Sequence, residues 1–320
     1  MLCSIISGCG SYLPEHIMTN DDISKLVDTN DEWIQERTGI KQRHIVAENQ
    51  YTSDIAFEAA KKAIENSNIS KDQIDLIILA TTTADNTFPS TATKVQAKLG
   101  ITTIPAFDVQ AVCSGFVYAL SIADSFIKSG QHKNILVIGA DSLSKITNWK
   151  DRGTCILFGD GAGAIILSAK ESDYPTGILS THLYSDGDLQ KILYVDGGAS
   201  SSDNVGKMIM EGKEVFRHAV EKMSSSIKHA MKVNNLSDDD IDWVIPHQAN
   251  LRIIKSVGKK LNFPKEKLIS TVQLHGNTSA ASIPLAMDIS INEKRIKRGD
   301  NIALTALGGG ITWGSSIIKY

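Results

Sequence analysis

The chain of 320 residues has only four cysteines, Cys3, Cys9, Cys113 and Cys155. No two of them form a CxxC pair, and their spacing fits neither a zinc finger nor a disulfide framework. Unpaired thiols of this kind are typical of the reducing cytoplasm, where we expect the protein to reside. The eight histidines also form no HExxH or comparable set. The sequence therefore predicts no metal site and no cofactor.

Long apolar segments and a strong net charge are missing as well. No apolar run reaches the roughly 20 residues that span a membrane. The N-terminal MLCSIISGCG lacks the basic lead and the length of a signal peptide, so we interpret it as a first strand. A net charge of −3 gives no overall attraction to nucleic acid or to a membrane surface. With 42% hydrophobic and 22% charged residues, the composition is that of a soluble globular protein.

Apolar strands alternate with amphipathic helices along the chain. This pattern favours an α/β fold with a mainly parallel sheet. The Gly159–Gly163 stretch (GDGAG) resembles a dinucleotide loop, but a strand pattern follows it, so we expect a tight turn and no nicotinamide binding. The segments that we interpret as helices are 53–66, 90–99 and 116–130, and those that we interpret as strands are 74–80, 134–140, 155–158 and 164–167.

The second part of the chain repeats the first. Residues 59–78 and 226–245 match at 8 of 20 positions without a gap, and each reads as a helix, a turn and an apolar strand. No linker rich in proline or serine separates the two copies. We therefore predict two duplicated halves, residues 1–172 and 173–320, within one compact body.

Cys113 lies at the end of a run rich in β-formers, which we interpret as a buried strand, where a Ser-Gly step leads into a helical pattern. A thiol at a helix N-terminus meets free backbone N–H groups and the positive end of the helix dipole. Both favour the thiolate, so we expect a pKa below the usual value of about 8.5. The competing interpretation is a buried structural cysteine.

Two polar residues of the second half occupy similar junctions. His247 follows the apolar strand 241–245, and Asn277 follows Gly276, which permits an unusual backbone angle. Together with Cys113 they form a Cys/His/Asn set. The residue types leave two classes open. One is a cysteine hydrolase in which His247 activates Cys113. The other is an acyltransferase that forms a carbon–carbon bond while His247 and Asn277 stabilise an enolate oxygen.

Collinear stretches over nearly the whole chain resemble one family. They are AVCSGFVYAL (111–120), GDGAGA (159–164), IPHQANLRII (245–254), HGNTSAAS (275–282) and GGGITWGSSII (308–318), with GSYLP (10–14), DTNDEWI (28–34) and RTGI (37–40). They resemble the signatures of β-ketoacyl-acyl-carrier-protein synthase III, the thiolase-fold enzyme that initiates bacterial fatty-acid synthesis. The resemblance implies a five-layered αβαβα fold of two duplicated halves.

The implied reaction is a decarboxylative condensation. An acyl-CoA primer, with acetyl-CoA the first expectation, would react with malonyl-acyl carrier protein to give a 3-oxoacyl-acyl carrier protein. The sequence does not determine the length or branching of the primer. It also allows the alternative that the chain is a related condensing enzyme of secondary metabolism. A degradative thiolase is disfavoured because it needs a second cysteine late in the chain, and none follows Cys155.

The resemblance also implies roles for individual residues. Cys113 would accept the acyl group, and His247 and Asn277 would serve the decarboxylation. The backbone N–H groups of Cys113 and Gly309 would form the oxyanion hole. CoA and its pantetheine arm would be held by Trp33, Arg37, Arg152, Gly212 and Asn250. The acyl pocket would be formed by Leu143, Leu157, Phe158 and Leu307, with Phe88 reaching across a homodimer.

Basic side chains on two predicted helices beside His247 fall on shared helix faces. We expect this patch to steer the acidic carrier protein. Its members are Lys213, Arg217, Arg252, Lys255, Lys259 and Lys260. Four residues depart from the familiar pattern of the family and leave its substrate preference open. Val112 and Ser114 stand where the family usually has small residues such as alanine. Leu307 stands where it usually has a phenylalanine, and Lys213 where it usually has an asparagine.

Overall fold

The structure is a computed structural model that describes residues 1 to 320. Its strands form two large sheets and two small ones. The strands are β1 (Leu2–Tyr12), β2 (His16–Thr19), β3 (Gln42–Ile45), β4 (Leu76–Ala80), β5 (Ala106–Val109), β6 (Asn134–Ser142), β7 (Asp160–Glu171), β8 (Gly177–Ser185), β9 (Leu193–Val195), β10 (Met208–Met210), β11 (Trp243–Pro246), β12 (Asn301–Gly308) and β13 (Thr312–Lys319).

Several helices begin or end at residues that satisfy their free backbone groups. In α4, for example, Ser90 Oγ accepts a hydrogen bond from the backbone N–H of Thr93, and Gly100 ends the helix with a φ of 68°. No helix is both long enough and apolar enough to cross a membrane. The helices are α1 (Asn20–Ser24), α2 (Asp31–Thr38), α3 (Thr52–Glu65), α4 (Thr91–Leu99), α5 (Gly115–Lys128), α6 (Arg152–Cys155), α7 (Gly212–Val233), α8 (Leu251–Lys260), α9 (Val272–His275) and α10 (Ser282–Asn292).

Both large sheets are mixed, so the prediction of a mainly parallel sheet was wrong. The first has the order β1-β7-β6-β4-β5, and only the pairings of β4 with β5 and β6 are parallel. The second has the order β11-β12-β13-β8, and only β11 with β12 is parallel. The short turn from β12 into β13 forces these neighbours to run antiparallel.

The two sheets and three helix layers stack as αβαβα, which confirms the expected fold class. Helices α5 and α10 lie between the sheets, where Phe116 and Met287 share one apolar core with Ile78 and Leu304. Helices α3 and α4 cover the outer face of the first sheet. Helices α7 and α8 cover the outer face of the second sheet. Because β4 is buried on both faces, its sequence is a continuous apolar run.

The division into two duplicated halves at residue 172 remains a prediction. All strands of the first large sheet lie within residues 2–171, and all strands of the second lie within 177–319. The repeated sequences 59–78 and 226–245 include parts of α3 and β4 in one sheet layer and parts of α7 and β11 in the other. This topology supports the proposed boundary.

Three local predictions were wrong. The apolar run 155–158 is not a strand, because Arg43 Nη2 donates to the Ile156 carbonyl at 2.8 Å and Phe158 makes only an isolated bridge to Asn277. The GDGAG stretch is not a tight turn, because it forms the start of β7, where Gly163 packs closely against Pro284 and Leu285 of α10. The strand before Cys113, β5, is an edge strand and only half-buried.

The turn 279–281 packs directly against β6 at Gly139. A Cβ atom at Gly139 would lie 2.3 Å from the carbonyl oxygen of Ala280, and backbone cannot move aside as a side chain can. We expect Gly139→Ala to lower the free energy of unfolding by about 2 kcal/mol or more, since overpacking costs roughly 1–3 kcal/mol. Urea denaturation measures this change.

The matched control is Gly187→Ala at an exposed position with no atom within 4 Å of the added carbon. That variant should change the free energy of unfolding by less than about 0.5 kcal/mol. Equal denaturation midpoints for the two variants would show that the turn does not depend on this contact.

Candidate active site

One cavity of about 1390 Å³ brings Cys113, His247 and Asn277 together. The three side chains come from distant parts of the chain, and each is at least nine-tenths buried. His247 and Asn277 lie in the part of the chain that forms the second large sheet, and Cys113 lies in the part that forms the first. The structure therefore places the Cys/His/Asn set of the sequence on the wall of a single cavity.

Cys113 lies in a 3-10 turn, Val112–Ser114, that leads into α5. Val112 has a φ of 49°, a left-handed angle that is uncommon for a β-branched residue. The turn is held from the second sheet, because Ser114 Oγ lies 2.8 Å from both the Ala111 carbonyl and Thr312 Oγ1. Ser114 thus fixes the backbone of the nucleophile turn.

The Cys113 thiol is not activated in the free protein, so the expectation of a lowered pKa was wrong. Complete burial raises the pKa of Cys113 to about 12, and the nearby Ser279 hydroxyl only partly opposes this effect. Desolvation of a thiolate outweighs the favourable helix end. Near neutral pH the residue is therefore a thiol.

His247 follows β11, and its backbone N–H donates to the Thr305 carbonyl at 2.7 Å. Burial lowers the pKa of His247 to about 3, with a smaller contribution from the nearby His275. The ring is therefore neutral across the physiological range. Its Nδ1 lies 2.7 Å from Ser282 Oγ, which leaves Nε2 for the cavity.

Asn277 is held by its backbone and by its side-chain oxygen. Gly276, with a φ of 69°, turns the chain before it, and the Asn277 backbone N–H donates to the Leu157 carbonyl at 2.8 Å. Asn277 Oδ1 accepts from the Ser279 N–H at 2.9 Å. The amide oxygen is thus occupied, and the amide N–H₂ group is the part of the side chain that can donate to a ligand.

The charges around the cavity all have one sign. None of the lining residues is Asp or Glu, whereas four carry a positive charge, namely Arg37, Lys191, Lys213 and Arg252. Nowhere in the structure do three or more His, Cys, Asp or Glu side chains group so that they could hold a metal ion. The arrangement brings together a thiol, a neutral imidazole and an amide N–H₂ group, and its exposed positive side chains suit an anionic substrate.

Most residues expected to hold CoA line this cavity. Trp33, Arg37, Gly212 and Asn250 contribute to its wall, and Gly153, next to Arg152, does so too. The guanidinium carbons of Arg37 and Arg152 lie 4.6 Å and 4.9 Å from the centre of the Trp33 ring. Asn250 Oδ1 caps α8 by accepting from the Ile253 N–H at 2.9 Å, so its N–H₂ group is left to donate.

The expected acyl-pocket residues fall into two groups. Leu143, Leu157, Phe158 and Leu307 are buried and line the same cavity as Cys113. Phe88 does not line the cavity of its own chain, and 84% of it is exposed.

Gly309, the expected second member of the oxyanion hole, lies on the wall of the cavity. Its neighbour Gly308 passes close to the nucleophile turn, because a Cβ atom at Gly308 would lie 2.7 Å from the Cys113 backbone nitrogen. The end of β12 therefore reaches the N–H group of Cys113. The oxyanion role of these two groups stays a prediction.

The basic patch is exposed on α7 and α8, but two of its members pair with carboxylates. Arg217 lies 2.6 Å from Glu214, and Lys260 pairs with Glu221. Lys213 and Arg252 line the cavity, and Arg252 lies 5.7 Å from the centre of the Phe216 ring. Lys213, Arg252, Lys255 and Lys259 make no ion pair.

The sequence did not single out three residues that shape the site. Ser282 contacts His247, Thr312 supports the nucleophile turn, and Ser279 lines the cavity with a φ of 50°. Ser279 and Ser282 belong to the HGNTSAAS stretch, which was a signal that this turn mattered. The contacts of Ser282 with His247 and of Thr312 with Ser114 join residues more than 30 positions apart and appear only in the fold.

A buried cysteine, histidine and asparagine meet between two stacked sheets, an arrangement that fits a thiolase-fold acyltransferase. Residues 107–187 match the family described as 3-oxoacyl-[acyl-carrier-protein] synthase III, and residues 231–320 match the C-terminal part of that family. Together with the relatives below, these matches show that the chain belongs to the β-ketoacyl-[acyl-carrier-protein] synthase III family, whose members are condensing enzymes of fatty-acid biosynthesis.

The relatives resemble this chain over its whole length. A β-ketoacyl-[acyl-carrier-protein] synthase III from Paramagnetospirillum magneticum is 57% identical over 99% of this chain and 98% of its own. The corresponding protein of Rhodospirillum centenum is 54% identical over 100% of this chain and 99% of its own. The crystal structure of the Aquifex aeolicus synthase III aligns with a TM-score of 0.94 and 48% identity, covering 99% of this chain and 100% of the other.

The raised pKa of Cys113 makes its reactivity depend strongly on pH. Because only the thiolate is nucleophilic, the rate of alkylation by iodoacetamide should rise about tenfold per pH unit, roughly from pH 7 to pH 10, without a plateau. Intact-mass measurements against time give this rate, with Cys113→Ala as the background for the other three buried thiols. A plateau below about pH 8 would mean that the helix end lowers the pKa after all.

Proposed function

We propose that the chain joins an acyl-CoA primer to malonyl-acyl carrier protein in two half-reactions on Cys113. The observation that carries this proposal is the cavity itself. It holds a thiol beside two neutral hydrogen-bond donors, and its lining has no carboxylate. Such a site suits an acyl-enzyme and an enolate better than it suits general-base hydrolysis.

In the first half-reaction the Cys113 sulfur attacks the thioester carbonyl of the acyl-CoA. The bond from the acyl carbon to the CoA sulfur breaks, and the thiol proton of Cys113 ends on the departing CoA. The N–H groups of Cys113 and Gly309 are the proposed donors to the tetrahedral oxygen. Their backbone approach at the end of β12 supports this role.

In the second half-reaction the malonyl thioester loses carbon dioxide, and the electrons of the broken bond form an enolate. The proposed donors to its oxygen are His247 Nε2 and the Asn277 amide. The enolate carbon attacks the acyl group, Cys113 leaves as a thiolate, and one proton from solvent restores the thiol. Decarboxylation supplies the carbanion, so no strong base is required.

Substitutions of Asn277 and Cys113 should separate the two half-reactions. Asn277→Ala should still acquire an acyl group on Cys113 but lose decarboxylation of the malonyl substrate by about 100-fold or more, because only the second step builds an enolate. Cys113→Ala should take up no acyl group and retain some decarboxylation. Intact mass reports acylation, and trapped carbon dioxide reports decarboxylation. Equal loss of acylation in both variants would contradict the assigned roles.

One aromatic side chain of the cavity wall and two basic side chains beside it are suited to binding CoA. Trp33 presents an aromatic face, and Arg37 and Arg152 bring two guanidinium groups to it. We propose that the adenine of CoA stacks on Trp33 and that the two arginines pair with the phosphates of CoA. Gly212 and Asn250 are the proposed contacts of the pantetheine arm, since both line the same cavity as Trp33 and Cys113.

We also propose a cytoplasmic homodimer that is primed by a short acyl-CoA, with acetyl-CoA the first candidate. Phe88 is almost fully exposed, and β5 leaves one edge of the first sheet without a partner strand. An exposed aromatic side chain and an open strand edge both favour a second copy. Phe88 would then reach the acyl pocket of the partner subunit.

Removal of the Phe88 ring should widen the choice of primer. In a confirmed dimer, Phe88→Ala should accept acyl-CoAs longer by one or more methylene groups, each worth about 0.8 kcal/mol of burial. The measurement is intact-mass detection of the acyl-enzyme across a series of acyl-CoAs, with the dimer checked by light scattering. An unchanged primer profile in an intact dimer would refute the proposed position of Phe88.

The carrier protein is proposed to approach over α7 and α8, where Arg252 is exposed and also lines the cavity. Arg252→Glu should lower kcat/KM for malonyl-carrier protein about tenfold, which corresponds to roughly 1.4 kcal/mol. The loss of kcat/KM for malonyl-carrier protein should be smaller at high salt, and the rate of acylation by the small acyl-CoA should change much less.

Lys61→Glu makes the same charge change on α3, on the outer face of the other sheet, and should leave both half-reactions unchanged. Equal damage by Arg252→Glu to both half-reactions would indicate a local defect at the site and not a docking surface.

A further inference from the structure

Ser282 contacts the side of His247 that faces away from the cavity. Its Oγ lies 2.7 Å from His247 Nδ1 and 3.3 Å from the backbone nitrogen of Gln248. Ser282 is fully buried at the first residue of α10, and Gln248 is fully buried as well. No other hydrogen-bond partner reaches this hydroxyl, so its oxygen and its single proton have only these two contacts.

The hydrogen-bond donors and acceptors in this group allow only one satisfied arrangement. The Gln248 N–H can only donate, so Ser282 Oγ accepts from it. The Ser282 hydroxyl proton then has one acceptor within reach, which is His247 Nδ1. If Nδ1 carried a proton instead, the buried serine O–H would have no acceptor, which costs about 1–3 kcal/mol. The ring proton of neutral His247 must therefore lie on Nε2.

We propose that Ser282 is a positioning residue that holds His247 as the Nε2–H tautomer and so makes it a hydrogen-bond donor toward the cavity. This inference rests on the proposed role of His247 in decarboxylation and extends it to a residue outside the cavity wall. A neutral ring with its proton on Nε2 can donate to an enolate oxygen. It cannot take the Cys113 thiol proton at the same nitrogen.

Because His247 is buried and neutral, its ability to donate toward the cavity depends on its tautomer. Because the pKa of His247 falls to about 3, the ring cannot supply Nε2–H through the doubly protonated form at working pH. The donor function then depends on which nitrogen carries the single proton. His275, the other buried ring nearby, has its own partners in Thr271 and the Gly276 carbonyl, so it does not compete for Ser282.

The direct test is ¹⁵N NMR of the full chain labelled at histidine, with His247 assigned by comparison with His247→Gln. Near neutral pH the wild-type ring should show a protonated Nε2 and an unprotonated Nδ1. A protonated Nδ1 in the wild type would overturn the proposal. The spectrum is read without turnover, so a failure of the proposed role of His247 would leave this result unaffected.

Kinetics of variants test the consequence. Ser282→Ala should lower kcat for malonyl decarboxylation about tenfold or more while KM stays within about twofold, because part of the His247 population then lacks the Nε2–H donor and loss of such a donor costs roughly 100-fold or more. Its spectrum should show both tautomers. Ser282→Thr, which keeps the hydroxyl, should recover most of the lost rate and the single tautomer.

The matched control is Ser290→Ala in the same helix, because Ser290 is equally buried and its hydroxyl has no hydrogen-bond partner. This control separates loss of a buried hydroxyl from loss of the contact to His247. Unchanged decarboxylation in a folded Ser282→Ala variant, or an equal loss in Ser290→Ala, would overturn the proposal. If Ser282→Ala does not fold, the wild-type spectrum and Ser282→Thr still decide the matter.

Discussion

The site depends on close backbone contacts between the regions that carry the two large sheets. The turn 279–281 rests on Gly139 of β6, and Gly308 at the end of β12 reaches the N–H of Cys113. Any side chain at these glycines would hold the two surfaces apart. Because these contacts are backbone to backbone, they hold the turn that follows Asn277 close to β6 and the end of β12 close to the nucleophile turn. The cavity is thus a consequence of how the sheet layers meet.

Burial then sets the chemistry of the groups that meet there. Desolvation keeps Cys113 as a thiol and His247 as a neutral ring, and no carboxylate on the cavity wall favours the charged form of His247. A neutral donor pair costs less to bury than a charged pair and can still stabilise a developing negative oxygen. The positive side chains lie toward the entrance, where an anionic substrate or carrier would arrive.

The sequence predicted the elements that are determined by local patterns. Helices α3 and α4 and strand β4 were confirmed because their caps and apolar periods are encoded in neighbouring residues. The five-layered fold class was also confirmed. Properties that depend on distant contacts were missed or wrong. The pKa of Cys113 was expected to fall because the sequence shows the helix end but not how completely the fold desolvates the thiol, and the contact of Ser282 with His247 spans 35 positions.

One measurement tests the central claim that a single cavity carries out both half-reactions on Cys113. Acyl-enzyme is formed with acetyl-CoA, freed of CoA, mixed with malonyl-carrier protein and quenched at intervals. The account predicts that carbon dioxide and the 3-oxoacyl product appear in equal amounts while the acyl mass leaves Cys113 at the same rate. Release of free acetic acid in place of the product, or a product formed while Cys113 stays acylated, would contradict the account.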